Sequence, residues 1–91
     1  MHLNYTLNED YIVREIDEKL VVVNINDAKY YTFNDVGKLI LDHIIQQKDY
    51  ADLLQSVQTT FDVTRKQFED DFSLFLREME SKSILSDSVK E

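Results

Sequence analysis

Cysteine, proline and tryptophan are absent from the 91 residues, and glycine occurs only once. Without cysteine the chain has no disulfide, no thiolate zinc site and no catalytic thiol. A single glycine cannot build a phosphate-binding loop. No apolar run approaches the roughly 20 residues of a membrane-spanning helix. The N-terminus also lacks the basic and apolar blocks of a secretory signal. We therefore expect a cytoplasmic protein.

Positive charge is also scarce, since 18 acidic residues stand against 10 basic ones and the net charge is -8. Neither half of the chain has an excess of bases. Nucleic-acid binders usually carry a basic face, because phosphate neutralisation supplies much of their affinity. Anionic membrane surfaces attract basic segments for the same reason. The charge balance therefore predicts neither nucleic acid nor membrane as a partner.

Residues that serve metals and acid–base chemistry are few and lack suitable neighbours. Neither His2 nor His43 has another ligand type at metal-binding spacing, and we interpret His43 as a surface or boundary residue. The acidic stretches at residues 17–18 and 69–71 contain adjacent residues, which on a helix point in different directions. We expect no catalytic residue, no metal site and no cofactor, and hence no enzyme activity by the chain alone.

The first third of the chain is rich in β-branched and aromatic residues separated by short polar turns. This pattern predicts strands at Tyr11–Ile16, Leu20–Ile25 and Lys29–Phe33, joined as an antiparallel meander. Alternation places Tyr31 and Phe33 on the core side of the third strand, and Tyr30 and Thr32 on the other side. A sheet of three strands is marginal alone and must pack against another layer.

Helical periodicity begins after residue 34. Asn34 is a good N-cap for a first helix that runs to about Gln47, and a second helix fits Tyr50–Thr60. Thr64 opens a capping box for a third helix that ends at about Ser81. We therefore predict one α+β domain over residues 1–91, a three-stranded antiparallel sheet followed by three helices. Residues 1–10 and 86–91 are expected to be mobile.

The edge of the third strand is the first candidate for binding. An unpaired edge presents free N–H and C=O groups, which can capture an extended peptide by strand addition. Alternatively, a helix or a chain terminus covers this edge. The sequence does not decide between the two readings.

The third helix is the second candidate. Phe68, Phe72, Phe75 and Met79 form one apolar stripe, which in a small domain is more often core than ligand pocket. Asp71 lies beside the stripe, as does Leu74. A groove between this helix and the strand edge would have an apolar floor and an acidic rim. It would suit an extended peptide with apolar anchors and some basic character.

Several short motifs follow one another along the chain in an order that is typical of one protein family. The first strand begins with Val13-Arg14-Glu15, and the aromatic stretch of residues 29–37 ends in Asn-x-x-Gly at Gly37. The last helix is preceded by Phe61-Asp62-Val63 and followed by Ile84-Leu85. Together they resemble the PqqD family, also described as the recognition element of ribosomally made, modified peptides. The similarity covers about residues 11–85. The family often has leucine at Phe33 and a glycine where this chain has Lys82-Ser83.

The resemblance implies a winged-helix-like fold and a non-catalytic peptide chaperone. Such a protein grips the leader segment of a precursor peptide, which adds as a fourth strand beside the third strand and against the third helix. It then presents the precursor to a leader protease or to a radical-type modifying enzyme. Both quinone-cofactor (PQQ) and lasso-peptide biosynthesis use such proteins, and the residues do not choose between them.

The predicted peptide-binding residues come from that strand and that helix. They are Lys29, Tyr30, Tyr31, Thr32, Phe33, Phe68, Asp71, Phe72, Leu74 and Phe75. Two other functions remain open at this point, a winged-helix DNA-binding protein and a structural subunit of a larger complex. The first requires a basic recognition helix, and the second requires a folded protein surface as its partner.

Overall fold

The computed structural model describes residues 5–87, without the side chain of Asp87. The elements in chain order are β1 (Tyr5–Leu7), β2 (Tyr11–Ile16), β3 (Lys19–Asn24), β4 (Tyr30–Thr32), α1 (Asp35–Ile45), α2 (Tyr50–Thr60), α3 (Arg65–Ser81) and β5 (Leu85–Asp87). The predicted α+β class, meander and three helices are confirmed, with small shifts at the element ends.

The meander β2-β3-β4 is antiparallel throughout, with β3 in the centre. Asp17 and Glu18 turn the chain between β2 and β3 with positive φ values of 51° and 66°. Two successive positive φ values characterise the tight hairpin turn whose twist matches that of the strands. Leu20 and Val22 of β3 point inward and are buried. One face of the sheet is therefore covered by the helices.

A second, two-stranded sheet joins the two ends of the described chain, and we predicted no strand in either segment. β1 pairs antiparallel with β5, with Leu7 opposite Leu85. Residues 5–7 and 86–87 fall within the ends that we expected to be mobile, and in the structure they belong to this paired sheet. Residues 1–4, which include His2, and residues 88–91 lie outside the described part. The pairing has no local sequence signal because its partners are almost a chain length apart.

The end of α3 is fixed beneath the meander. Ser83 has a φ of 58°, and the Ile84 N–H donates to the Met79 carbonyl at 2.9 Å, as in a Schellman motif. The Tyr11 hydroxyl of β2 donates to the Lys82 carbonyl at 3.0 Å. These bonds hold the C-terminal half of α3 against the sheet, where the site described below is formed.

His43 is a buried residue, 6% exposed, and not the surface or boundary histidine that we predicted. Its Nδ1 lies 2.9 Å from the Leu39 carbonyl, and its Nε2 lies 3.3 Å from the Ser56 hydroxyl. Because both ring nitrogens have partners, burial leaves no polar atom unsatisfied. His43 thus links α1 to α2 as a structural residue.

The hydrophobic core lies between the meander and the helices. It comprises Tyr11, Leu20, Val22, Ile40, Leu41, Ile44, Leu53, Val57, Phe68, Met79, Ile84 and Leu85. Within the described ranges, no helix is long and apolar enough to cross a membrane.

Candidate functional site

The outer edge of β4 is open. Among residues 5–87 no strand lies beyond it. The Phe33 N–H donates to the Leu20 carbonyl at 3.3 Å, and the Lys29 carbonyl accepts from β3 at 2.8 Å. Because an antiparallel ladder alternates, the N–H and C=O groups of Tyr30 and Thr32 point away from the sheet. Tyr30 and Thr32 are also exposed, so within residues 5–87 the structure supports a free edge and not a covered one.

The inner side of β4 faces α3 through aromatic side chains. Tyr31 and Phe33 are half-buried while Tyr30 and Thr32 are exposed, which confirms the predicted alternation. The rings of Phe33 and Phe75 have centroids 6.0 Å apart. The Lys82 Nζ lies 5.8 Å from the centre of the Tyr31 ring. We call the surface that Tyr31, Phe33, Phe75 and Lys82 form along this contact the β4–α3 groove.

The rim of the β4–α3 groove on the helix side is acidic. Asp71, Phe75, Glu78 and Lys82 recur at intervals of four, three and four residues, so they share one flank of α3. Asp71 and Glu78 are exposed. Leu74 lies further round the same flank and is 53% exposed. This flank therefore offers an apolar side chain and two carboxylates beside the open strand edge.

Two predicted helix residues lie on the opposite flank of α3. Phe68 is only 1% exposed, so it is a core residue that no peptide could reach. Phe72 packs against Phe68 with centroids 5.5 Å apart, and Tyr50 of α2 contacts both rings. These rings join α2 to α3. The floor of the groove is therefore formed by Phe75 with Tyr31 and Phe33, and Phe68 is removed from the candidate set.

The remaining predicted residues lie along the strand. Lys29 is exposed immediately before β4, where its N–H donates to the Asp27 carboxylate at 2.9 Å. Sequence reasoning missed Lys82 and Glu78, although their spacing from Asp71 and Phe75 on the same helix carries the signal.

Among the residues that the structure describes, two side chains have perturbed pKa values, and both lie away from the groove. Burial raises the pKa of Tyr50, and the negative charge of Glu69 adds to this, while Arg65 opposes it. The hydrogen bond to Asp70 raises the pKa of Lys66, and the carboxylate's charge acts in the same direction. Neither group faces β4, so these shifts report helix packing and an exposed ion pair.

No catalytic constellation is evident in the part of the chain that the structure describes. That part contains no cluster of three or more His, Asp or Glu residues able to hold a metal ion. It presents instead a strand edge with free main-chain groups beside an apolar, acid-rimmed groove. An arrangement of this kind is suited to an extended chain, with main-chain hydrogen bonds at the edge and side-chain contacts in the groove.

Fold and groove together define a small winged-helix-like domain with an open edge strand. The chain belongs to the PqqD family, since the family model "Coenzyme PQQ synthesis protein D (PqqD)" matches residues 19–85. The comparison with curated proteins gives no match.

Two solved structures share this fold. "Lasso peptide synthetase B1 complexed with the leader peptide" is 19% identical, covers 91% of this chain and 98% of its own, and superimposes with a TM-score of 0.82. "TbiB1 in complex with the TbiA(beta) leader peptide" is 21% identical, covers 89% and 94%, and gives a TM-score of 0.79.

Proposed function

We propose that this protein is a non-catalytic adaptor that binds the leader segment of a ribosomally made precursor peptide by strand addition at β4. It presents the bound precursor to a leader protease or to a radical-type modifying enzyme. Membership of the PqqD family and the leader complexes of the two similar structures support this proposal. In this role the protein works in the cytoplasm, where precursors are made.

The observation that carries the proposal is the open edge of β4 beside the groove. Tyr30 and Thr32 each direct a donor and an acceptor outward, so an added strand gains main-chain hydrogen bonds at both residues. Alternate side chains of that strand then point to Tyr31, Phe33 and Phe75. The edge supplies affinity without regard to sequence, and the groove selects for apolar anchors.

The charges favour a peptide over DNA. Arg65 and Lys66 at the start of α3 are bound by Glu69 and Asp70, at 3.2 Å and 2.8 Å. The helix that a winged-helix DNA binder would place in the major groove therefore has no free basic surface at this end. Asp71 and Glu78 would attract a leader with basic residues.

The first test is a proline in the edge strand. Thr32→Pro removes an N–H that points away from β3, so the meander keeps its own hydrogen bonds. We expect this variant to bind a synthetic leader peptide, taken from the precursor encoded nearest to this chain's gene, at least tenfold more weakly in fluorescence anisotropy. Glu15→Pro is the matched control on the opposite edge strand, β2, and should bind like the parent.

The second test reverses one charge on the rim. Asp71→Arg places a base beside the groove, whereas Asp70→Arg makes the same charge change further round the helix, where the carboxylate contacts Lys66. We expect Asp71→Arg to weaken leader binding severalfold more than Asp70→Arg. Circular dichroism establishes that each variant is folded. If folded Thr32→Pro and Asp71→Arg both bind the leader as tightly as the parent, the proposed site is wrong.

A further inference from the structure

The outer face of the meander carries an apolar cleft that the groove does not explain. The cleft has a volume of about 460 Å³ and is lined by Ile16, Asp17, Lys19, Val21, Val23, Tyr30 and Thr32. Tyr30 is 67% exposed and Ile16 is 56% exposed, so two large apolar side chains stand open to solvent here. This face is opposite the helices and separate from the β4–α3 groove.

The position of the cleft connects it to the open edge. Its lining comes from β3, from β4 and from the hairpin end at residues 16–19, and it reaches the edge strand through Tyr30 and Thr32. In the strand register Thr32 lies opposite Val21, and Tyr30 lies opposite Val23. Val21 lines the cleft behind Thr32 and is 8% exposed, whereas Tyr30 at the edge is 67% exposed. A strand added to β4 would therefore border this cleft directly.

We infer that the cleft is a second side-chain subsite for the bound peptide, and that it takes a large apolar or aromatic residue. This inference rests on the proposed function. Side chains of an added strand alternate, so those between the groove anchors point to the outer face. Cross-strand neighbours have Cβ atoms about 5 Å apart, so the outward residue level with Thr32 would lie over Thr32 and reach towards Val21.

Continuity with the edge favours the peptide over other occupants. Two copies of the chain stacked through this face would bring together two molecules that each carry a net charge of -8. A protein that covered the whole face would also cover Ile12, which is on the far strand β2 and 37% exposed. Ile12 is absent from the lining of the cleft, which lies over β3 and β4 beside the open edge. The cleft therefore matches a strand added at that edge better than a partner that covers the whole face.

The inference predicts a specific pattern in the peptide. Its strand segment should carry apolar residues on both faces: anchors at alternate positions for the groove, and between them one large apolar residue level with Thr32. A peptide that used the groove alone would need apolar residues only at every second position. The two patterns are distinguishable in selected sequences.

The test is to select binding peptides from a random 15-residue display library, with the full chain immobilised as the target. On the parent we expect enrichment of apolar groove anchors and, between two of them, of Phe, Tyr, Leu or Ile. On Thr32→Glu we expect that one position to change to Lys or Arg while the anchors stay the same. Ile12→Glu, which makes the same charge change on the far strand, should select the parent pattern. Serine at the outward position of a selected peptide should weaken binding to the parent about fivefold.

Other outcomes separate the claim of an outer subsite from the claim of strand addition at β4. If anchors are enriched but the outward position is random on the parent and on Thr32→Glu, the subsite is wrong and strand addition stands. A dimer that Thr32→Glu dissociates, with no outward selection, would assign the cleft to a second copy and overturn the subsite. If the selected peptides show no alternation and still bind Thr32→Pro, strand addition fails and the subsite fails with it.

Discussion

At the scale of single residues, exposure separates the side chains that hold the fold from those able to contact a ligand. Phe68 and Leu74 lie on one helix and were predicted together, yet Phe68 is 1% exposed and Leu74 is 53% exposed. The sequence could not separate them, because periodicity gives the apolar side of a helix and not which flank a neighbouring element covers. Phe75 lies between them and contributes to both the core and the groove.

This contrast predicts that alanine at the two positions changes stability by very different amounts. Phe68→Ala should lower the free energy of unfolding by about 3–5 kcal/mol, because a ring is lost from a packed core. In a domain this small such a loss leaves much of the protein unfolded. Leu74→Ala should change it by no more than about 0.5 kcal/mol. Urea denaturation followed by circular dichroism measures both, and a Phe68→Ala protein as stable as the parent would show that Phe68 is not core.

At the scale of elements, what could be predicted depended on how local the signal was. Tyr50–Thr60 was predicted with its observed bounds, because caps and apolar spacing lie within the segment itself. The pairing of Leu7 with Leu85 was missed, because each strand has only three residues and its stability comes from the distant partner. The burial of His43 was missed for a similar reason, since Ser56 on another helix supplies one of its hydrogen bonds.

Gly37 shows a similar limit at the start of α1. A glycine in the first turn of a helix is commonly explained by the close approach of a neighbouring element. In the structure a Cβ at this position would lie 3.3 Å from Asn34 Oδ1 and 3.3 Å from the Phe33 ring. Asn34 is the N-cap, and its side chain accepts from the Gly37 N–H at 2.8 Å. The glycine therefore makes room for the Asn34 cap and for the Phe33 ring of the groove. Both residues come just before the helix, so the close approach is local and not to a neighbouring element.

The junction between α3 and β5 gives a prediction at this scale. Ser83 holds a left-handed backbone, which costs a residue with a Cβ about 1–2 kcal/mol, whereas glycine adopts it freely. Ser83→Gly should therefore raise the free energy of unfolding by up to about 1 kcal/mol after the greater chain entropy of glycine is counted. Ser83→Ala, which keeps the Cβ, should give no such gain. Urea denaturation of the parent and the two variants measures these differences in stability. Equal gains for Ser83→Gly and Ser83→Ala would show that the left-handed backbone of Ser83 carries no such cost.

At the scale of the whole molecule, an acidic domain has one sheet edge that joins two apolar surfaces. The β4–α3 groove lies on one side of β4 and the outer cleft on the other, so a strand added between them would contact both. The three-stranded sheet and its order followed from the sequence, and so did the choice of β4 as the edge to examine. The acidic rim was predicted through Asp71, whereas the place of Glu78 and Lys82 on the same flank was found from the structure, because it depends on which way the helix is rotated against the sheet.

The most direct test of strand addition is amide hydrogen exchange, resolved by NMR, with and without saturating leader peptide. The ladder places the N–H groups of Tyr31 and Phe33 towards β3, and those of Tyr30 and Thr32 towards solvent. In the free protein the first pair should exchange slowly and the second pair fast. With peptide bound, Tyr30 and Thr32 should become protected while Tyr31 and Phe33 change little. Fast exchange at Tyr30 and Thr32 in the saturated complex would contradict strand addition at β4.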